Sequence, residues 1–185
     1  MIQRPDGPSQ SIAQCVAQIA DMGAEGSIAV FGDHATSVLE STDRRAVVAA
    51  ADNGVSRIIA AGKTGFADFA NATQFDTTAF YRNSLEWLSK GLGTSARIVT
   101  DRSITQTWLV GQGFTKVTLL PSDWQIGLST ADVLVTWFNN PTVAQQTATK
   151  SFLDAGHGMF VGYNGWAFSS FGITPKTSGG NALLR

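Results

Sequence analysis

One cysteine, two histidines and five prolines in 185 residues leave little room for several kinds of chemistry. The single thiol, Cys15, rules out an intrachain disulfide and any cysteine-built metal cage. The two histidines, His34 and His157, show no HExxH spacing and no acidic cluster, so neither a metal nor another cofactor is expected. Charged residues make up only 15% of the chain, where about a quarter is usual. Its 13 basic and 14 acidic side chains are well mixed. No run of Lys or Arg is available to track phosphates, so nucleic acid is not an expected partner. No apolar stretch approaches the roughly 18 residues needed to span a bilayer. The opening decapeptide MIQRPDGPSQ lacks the apolar core of a signal peptide, although a chain trimmed of its signal would read the same.

The residues present describe a globular protein. The apolar fraction is 43%, and a chain of this length can bury a sizeable core as one domain over residues 1–185. Gly, Ser, Thr, Asn and Gln take the place of charge on the surface, which leans towards an extracytoplasmic setting.

Periodicity divides the chain. Residues 9–22 carry Ile12, Cys15, Val16, Ile19 and Met22 at helical spacing, which predicts an amphipathic helix with Cys15 buried on its apolar stripe. Residues 26–62 form a β-rich sub-layer of short runs at 27–31, 36–40, 46–52 and 56–61. Asn53-Gly54 marks a tight hairpin there, and the last run is expected to join the main sheet. An ordered loop with three phenylalanines spans 66–75. Asp76 then reads as the N-cap of a helix over 77–90, with Phe80, Ser84, Leu85 and Leu88 inward and Gly91 and Gly93 as the stop.

From 96 to 170 strand and helix alternate. Strands are predicted at 96–100, 116–120, 131–137 and 159–163. Asp101 or Ser103 is expected to cap a helix running to about Gln112, and Asn140 with Pro141 to start a helix that Gly156 ends. Near-continuous apolar strands between helices predict a mostly parallel α/β sheet covered on both faces. The tail, residues 170–185, is polar and glycine-rich and closes without an element of its own, so the natural protein is expected to continue.

In such a sheet ligands sit beyond the carboxyl ends of the strands. Those ends present Lys63, Asp101, Trp137, Asn139, Asn140, Tyr163, Asn164 and Trp166. This polar, aromatic rim suits a sugar or a peptide. The structural alternative is that the polar residues cap helices and the tryptophans fill gaps, and on sequence alone it is the stronger of the two. Gly62-Lys63-Thr64 ends like a phosphate-binding loop but lacks the preceding glycines, and 58–61 reads as strand. Asp33 and His34 are adjacent in sequence but would point to opposite faces of a strand, so a turn is the expected role. His157 falls at the amino end of its strand, away from the rim.

The stretch GHGMFVGYNGW, residues 156–166, is the most distinctive in the chain. It reads as a buried strand entering a glycine-bounded turn, the place where many α/β enzymes keep a reactive residue. In order along the chain, SIAVFGDHATSVL, ADNGVSRIIAAGKTGF, FYRNSLEWLSKG, ADVLVTWFNN, FLDAGHGMFVGYNGWAF and the closing GGNALLR resemble the amino-terminal domain of the TRP-channel-associated-factor family. Bacterial relatives of that family place the domain ahead of an enhancin-like, mucin-degrading metallopeptidase. The resemblance implies a flavodoxin-like three-layer sandwich of the class I glutamine amidotransferase kind. Aligned on Gly162, the Gly-x-Cys-x-Gly elbow of those enzymes places Asn164 at the nucleophile and Trp166 at the second glycine. An amide forms no thioester, and no histidine follows the turn to act as base.

The leading expectation is therefore a non-catalytic binding or scaffolding module for a glycan, a peptide or an adjacent domain of the same protein. The alternatives are a hydrolase of the same fold using a non-standard site near Lys63, Asp101, Asn164 or His34, and a purely structural domain.

Overall fold

The computed structural model describes residues 8–20, 22–23, 26–30, 32–121, 123–139 and 141–164. Seven strands, β1 (Ala35–Glu40), β2 (Ala46–Asp52), β3 (Arg57–Ala61), β4 (Ile98–Thr100), β5 (Val117–Leu119), β6 (Val133–Trp137) and β7 (Gly158–Gly162), build one sheet. Its order is β1-β2-β3-β7-β6-β4-β5. The two pairings of β2 are antiparallel, and those joining β3, β7, β6, β4 and β5 are parallel. The predicted α/β class is therefore present, with the β1–β3 meander forming one side of the same sheet.

Connection geometry sorts the helices into layers. The chain steps outward from β3 to β4 to β5, through α2 (Thr77–Leu88) and α3 (Ser103–Gly111), then back to β6 and β7 through 124–130 and α4 (Val143–Asp154). Right-handed crossovers running in opposite directions must cover opposite faces. Alternate strand residues confirm it. Ile59, Ile98, Val133, Val135 and Phe160 join the cluster with α2 and α3, whereas Val99, Leu134, Met159 and Val161 join Phe152 and Leu153 of α4. The result is a three-layer sandwich. Burying each such side chain contributes roughly 1.5–3 kcal/mol.

The layer over α2 is aromatic. Phe69 stacks on Tyr81 at 4.5 Å and meets Trp108 and Phe160 edge-on at 4.8 and 5.7 Å. The Tyr81 hydroxyl donates to the Ala70 carbonyl, and burial pushes its pKa up. Of the three loop phenylalanines, Phe66 and Phe69 are core and Phe75 is exposed. The predicted inward face of α2 is as expected, with Phe80, Ser84, Leu85 and Leu88 all buried.

The amino-terminal expectations need correction. The helix α1 covers only Pro8–Ile12, because Asn83 of α2 donates its amide to the carbonyls of Ile12 and Gln14 and the chain turns away. Cys15 takes a left-handed φ of 57° and is exposed rather than buried. Asp76 holds the N-cap position of α2, as expected, but its carboxylate makes no cap bond and instead pins the backbone after Cys15, accepting from the N–H groups of Ala17 and Gln18. Residues 26–30 form no strand, though Gly26 donates to Gly62 and Ile28 to Ala46. The cap of α4 is Thr142, locked in a reciprocal capping box with Gln145. Asn140, the expected cap, lies outside the described residues.

The centre strand β7 is buried at all five positions, on both faces. A side chain on Gly158 would sit 2.5 Å from the Leu88 carbonyl oxygen, and one on Gly162 would sit 2.9 Å from the Thr64 Cα. Backbone thus packs directly on backbone at both ends of the strand. Gly158→Ala is expected to cost about 1–3 kcal/mol in urea unfolding. Gly111→Ala, on an open position of α3, should instead stabilise by about 0.4–1 kcal/mol. Equal midpoints for the two variants would remove the squeezed-strand account.

Candidate functional site

At the carboxyl edge of the sheet, neighbouring strands β4 and β6 send their chains to opposite faces, β4 into α3 and β6 into α4. Diverging connections open a crevice between the two strand ends, where open α/β sheets hold their ligands. Asp101 follows β4 directly, and Thr136 and Trp137 close β6.

These residues form one cluster. The Thr136 hydroxyl donates to Asp101 Oδ2 at 2.9 Å, while Oδ1 is buried with no partner among the described residues. Burial raises the Asp101 pKa above the ordinary carboxylate value, against the hydrogen bond from Thr136 and the charge of Arg102. Arg102 donates from Nε to Asp68 Oδ1 at 2.9 Å and lays its guanidinium 3.5 Å from the centre of the Trp137 ring. The indole Nε1 is likewise buried and without a partner among the described residues. A cation on an aromatic face contributes about 0.5–2 kcal/mol, and it occupies a face that would otherwise be open to stacking. Neither Asp101 nor Ser103 caps α3, and among the described residues no side chain does; the Thr100 hydroxyl accepts from the Arg102 N–H just before it.

A second cluster surrounds residues 163–164, just after β7. Asn164 Oδ1 accepts from the Thr64 N–H at 3.1 Å and from its hydroxyl at 3.2 Å. The Asn164 N–H donates to Asn139 Oδ1 at 2.8 Å. Asn164 thus ties the ends of β3, β6 and β7 together. Tyr163 is buried in the α4-side core, its N–H donating to the Ala61 carbonyl. Lys63 is extended at the mouth of the 3₁₀ turn Thr64–Phe66, and β3 runs straight into it without a phosphate-type loop.

The eight residues singled out in the sequence therefore divide. Asp101 and Trp137 flank Thr136 at the crevice and Asn139 is bonded to Asn164 beside it, whereas Tyr163 is buried in the core and the Lys63 ammonium lies towards Gly23. Asn140 and Trp166 lie outside the described residues. Sequence reasoning missed Asp68, Arg102 and Thr136. Thr136 and Arg102 adjoin residues already selected, but Asp68, 34 residues from Arg102, carries no local signal. Asp33 and His34 sit in the turn before β1, as expected. His157 precedes β7 at the amino end, stacked on Phe152 at 4.6 Å, and burial lowers its pKa.

No family model and no curated protein matches the chain. Solved structures do. The IMPa metallopeptidase from Pseudomonas aeruginosa aligns with a TM-score of 0.63 at 16% identity, over 84% of this chain and 19% of its own. IMPa from Pseudomonas aeruginosa in complex with an O-glycopeptide gives 0.67 at 20% identity, over 93% and 21%. IMPa in complex with T-antigen gives 0.67 at 19%, again over 93% and 21%. The likeness is one of fold, and the chain spans about a fifth of the length of the structures it matches.

Two substitutions test the site's energetics. Asn164→Ala leaves the Thr64 N–H unpaired and is expected to cost about 1–3 kcal/mol in urea unfolding. Asp101→Asn tests the buried charge. A pKa raised in the folded state means that ionised Asp101 costs stability above that folded value, and costs nothing below the ordinary value of 3.8. The variant should therefore be more stable than the parent at about pH 7, with the gain fading towards about pH 4. A gain that stays flat across that range would locate the cost elsewhere.

Proposed function

We propose that this chain is a non-catalytic, amidotransferase-like module of a larger protein, holding a glycan, a peptide or a neighbouring domain at its carboxyl-end rim. The observation that carries this reading is the use made of Asn164. It stands where the resemblance puts the nucleophile, and its amide oxygen and backbone N–H are both spent on joining three strand ends. Residues 163–164 are built for connection, while the unpaired polar atoms lie one and two strands away, on Trp137 and Asp101. Buried polar groups without partners are uncommon enough to mark a place where a ligand completes the bonding. The fold's recurrence within a metallopeptidase solved with an O-glycopeptide and with T-antigen supports a sugar or peptide as that ligand.

Because Arg102 covers the Trp137 ring, contact with a ligand at this point falls to the polar edge of the crevice. Among the described residues no group of three or more His, Cys, Asp and Glu could hold a metal ion. The metallopeptidase HExxH is absent from this sequence. Any such activity would lie elsewhere in a longer protein.

A hydrolase reading rests on one feature, the half-buried Asp101 with its raised pKa beside the Thr136 hydroxyl, which has the makings of a general acid. Calorimetry with an O-glycopeptide and with T-antigen, on the parent and on Asp101→Ala and Trp137→Ala, separates the two. Binding weakened about tenfold or more in both variants, with no turnover in amidase and esterase screens, is the expected result. Parent protein that binds neither probe would end the glycan and peptide forms of this reading, and turnover lost in Asp101→Asn would overturn the module reading.

A further inference from the structure

The sheet extends one strand beyond its cover. On the α2/α3 side, Val117 of β5 packs against the core and α3 lies over it. On the opposite side, residues 124–130 pack with α4, over the sheet's centre. Lys116 and Thr118 at the edge are exposed there. The step leaves an open groove of about 370 Å³, lined by Arg97, Val99, Lys116, Thr118, Thr130 and Ala131 among others. That volume lies at the small end of ligand sites, enough for a single sugar ring.

Its chemistry is of one kind. Arg97 is fixed by Asp132, which accepts from its Nε at 3.1 Å and its Nη2 at 2.5 Å, so the guanidinium is held in place with donors to spare. Lys116 supplies a second cation, and its carbonyl accepts from the Ile98 N–H at 2.9 Å, which sets the spacing of the two strands. Asp132 offsets one of the two cations, leaving one positive charge in excess. Thr115, Thr118 and Thr130 add hydroxyls, and Val99 and Ala131 form an apolar floor. We propose that this groove binds a compact, singly charged anion bearing hydroxyl groups, a sugar acid or a sugar sulfate. The cations take the charged group, the threonines take the hydroxyls, and the floor takes the ring's C–H face. This site lies away from the crevice and stands or falls separately from it.

An NMR titration of the isotope-labelled full chain tests it, with glucuronate, glucose 6-sulfate, glucose and inorganic sulfate as probes. Saturable shifts at the amides of Lys116, Thr118 and Thr130 are expected with both charged sugars. Lys116→Ala and Thr118→Val, both on exposed positions, should each weaken binding about fivefold. A response to glucuronate alone assigns the carboxylate, and one to glucose 6-sulfate alone assigns the sulfate. Either supports the site. Glucose binding as tightly as the charged sugars would overturn it. Sulfate binding as tightly as either sugar would mean an adventitious ion only. Absence of saturable shifts at these amides with all four probes would also end the proposal.

Discussion

The backbone of β7 is pressed against its neighbours at both ends, by the Leu88 carbonyl at Gly158 and by the 63–67 turn at Gly162. Much of the parallel half of the sheet depends on this contact. It lets α2 end directly against the centre strand and lets the turn after β3 close over it. Side chains between the two glycines, Met159, Phe160 and Val161, then reach both cores, so that one short strand joins the two hydrophobic layers. At the amino end the same region is braced by Lys90, whose ammonium donates to the carbonyls of Val55 and Gly156. A wider strand would separate the layers and strand those carbonyls.

The tight approach also decides what the turn after β7 can be. With the 63–67 segment packed on Gly162, Thr64 lies within hydrogen-bond reach of Asn164. An amide oxygen accepting two donors from Thr64 stabilises the junction by more than a solvent-facing nucleophile would. A cysteine in its place would leave the Thr64 N–H without a strong acceptor. Residues 163–164 and the strand are therefore one structural device.

Legibility in the sequence followed the range of the interactions. The strands and helices from residue 77 onward were readable because buried strands and helix stripes repeat locally, as in VLVTW of β6 and the Phe80–Leu88 face of α2. The capping box Thr142–Gln145 is present in the sequence, but the Asn140-Pro141 signal beside it reads as strongly. The amino-terminal helix failed for a different reason. Its stripe was real, yet Asn83 and Asp76, about 60–70 residues away, took the backbone groups that a longer helix would have used. No local pattern reports that competition. The rim residues were legible as strand ends, but their grouping was not. Which of them pair, and that Arg102 closes the Trp137 face, depends on strand order, and a sequence does not display strand order.

The distribution of satisfied and unsatisfied polar groups separates scaffold from site. Within the core, the Ser84 hydroxyl donates to Phe80 and that of Thr105 to Ala67, and Thr77 accepts from Ala20. The last two hold a helix to its surroundings, and the first stays within α2. Among the described residues, four buried side-chain atoms lack a partner, and two of them, on Ser37 and Thr149, are hydroxyls. A hydroxyl can rotate and tolerates an imperfect setting. The carboxylate oxygen of Asp101 and the indole N–H of Trp137 cannot, and both lie where β4 and β6 diverge. The unpaired carboxylate oxygen at this switch point therefore costs stability. A ligand donor that pairs with Asp101 would remove the cost, so binding there would be strengthened by the same desolvation that raises the Asp101 pKa.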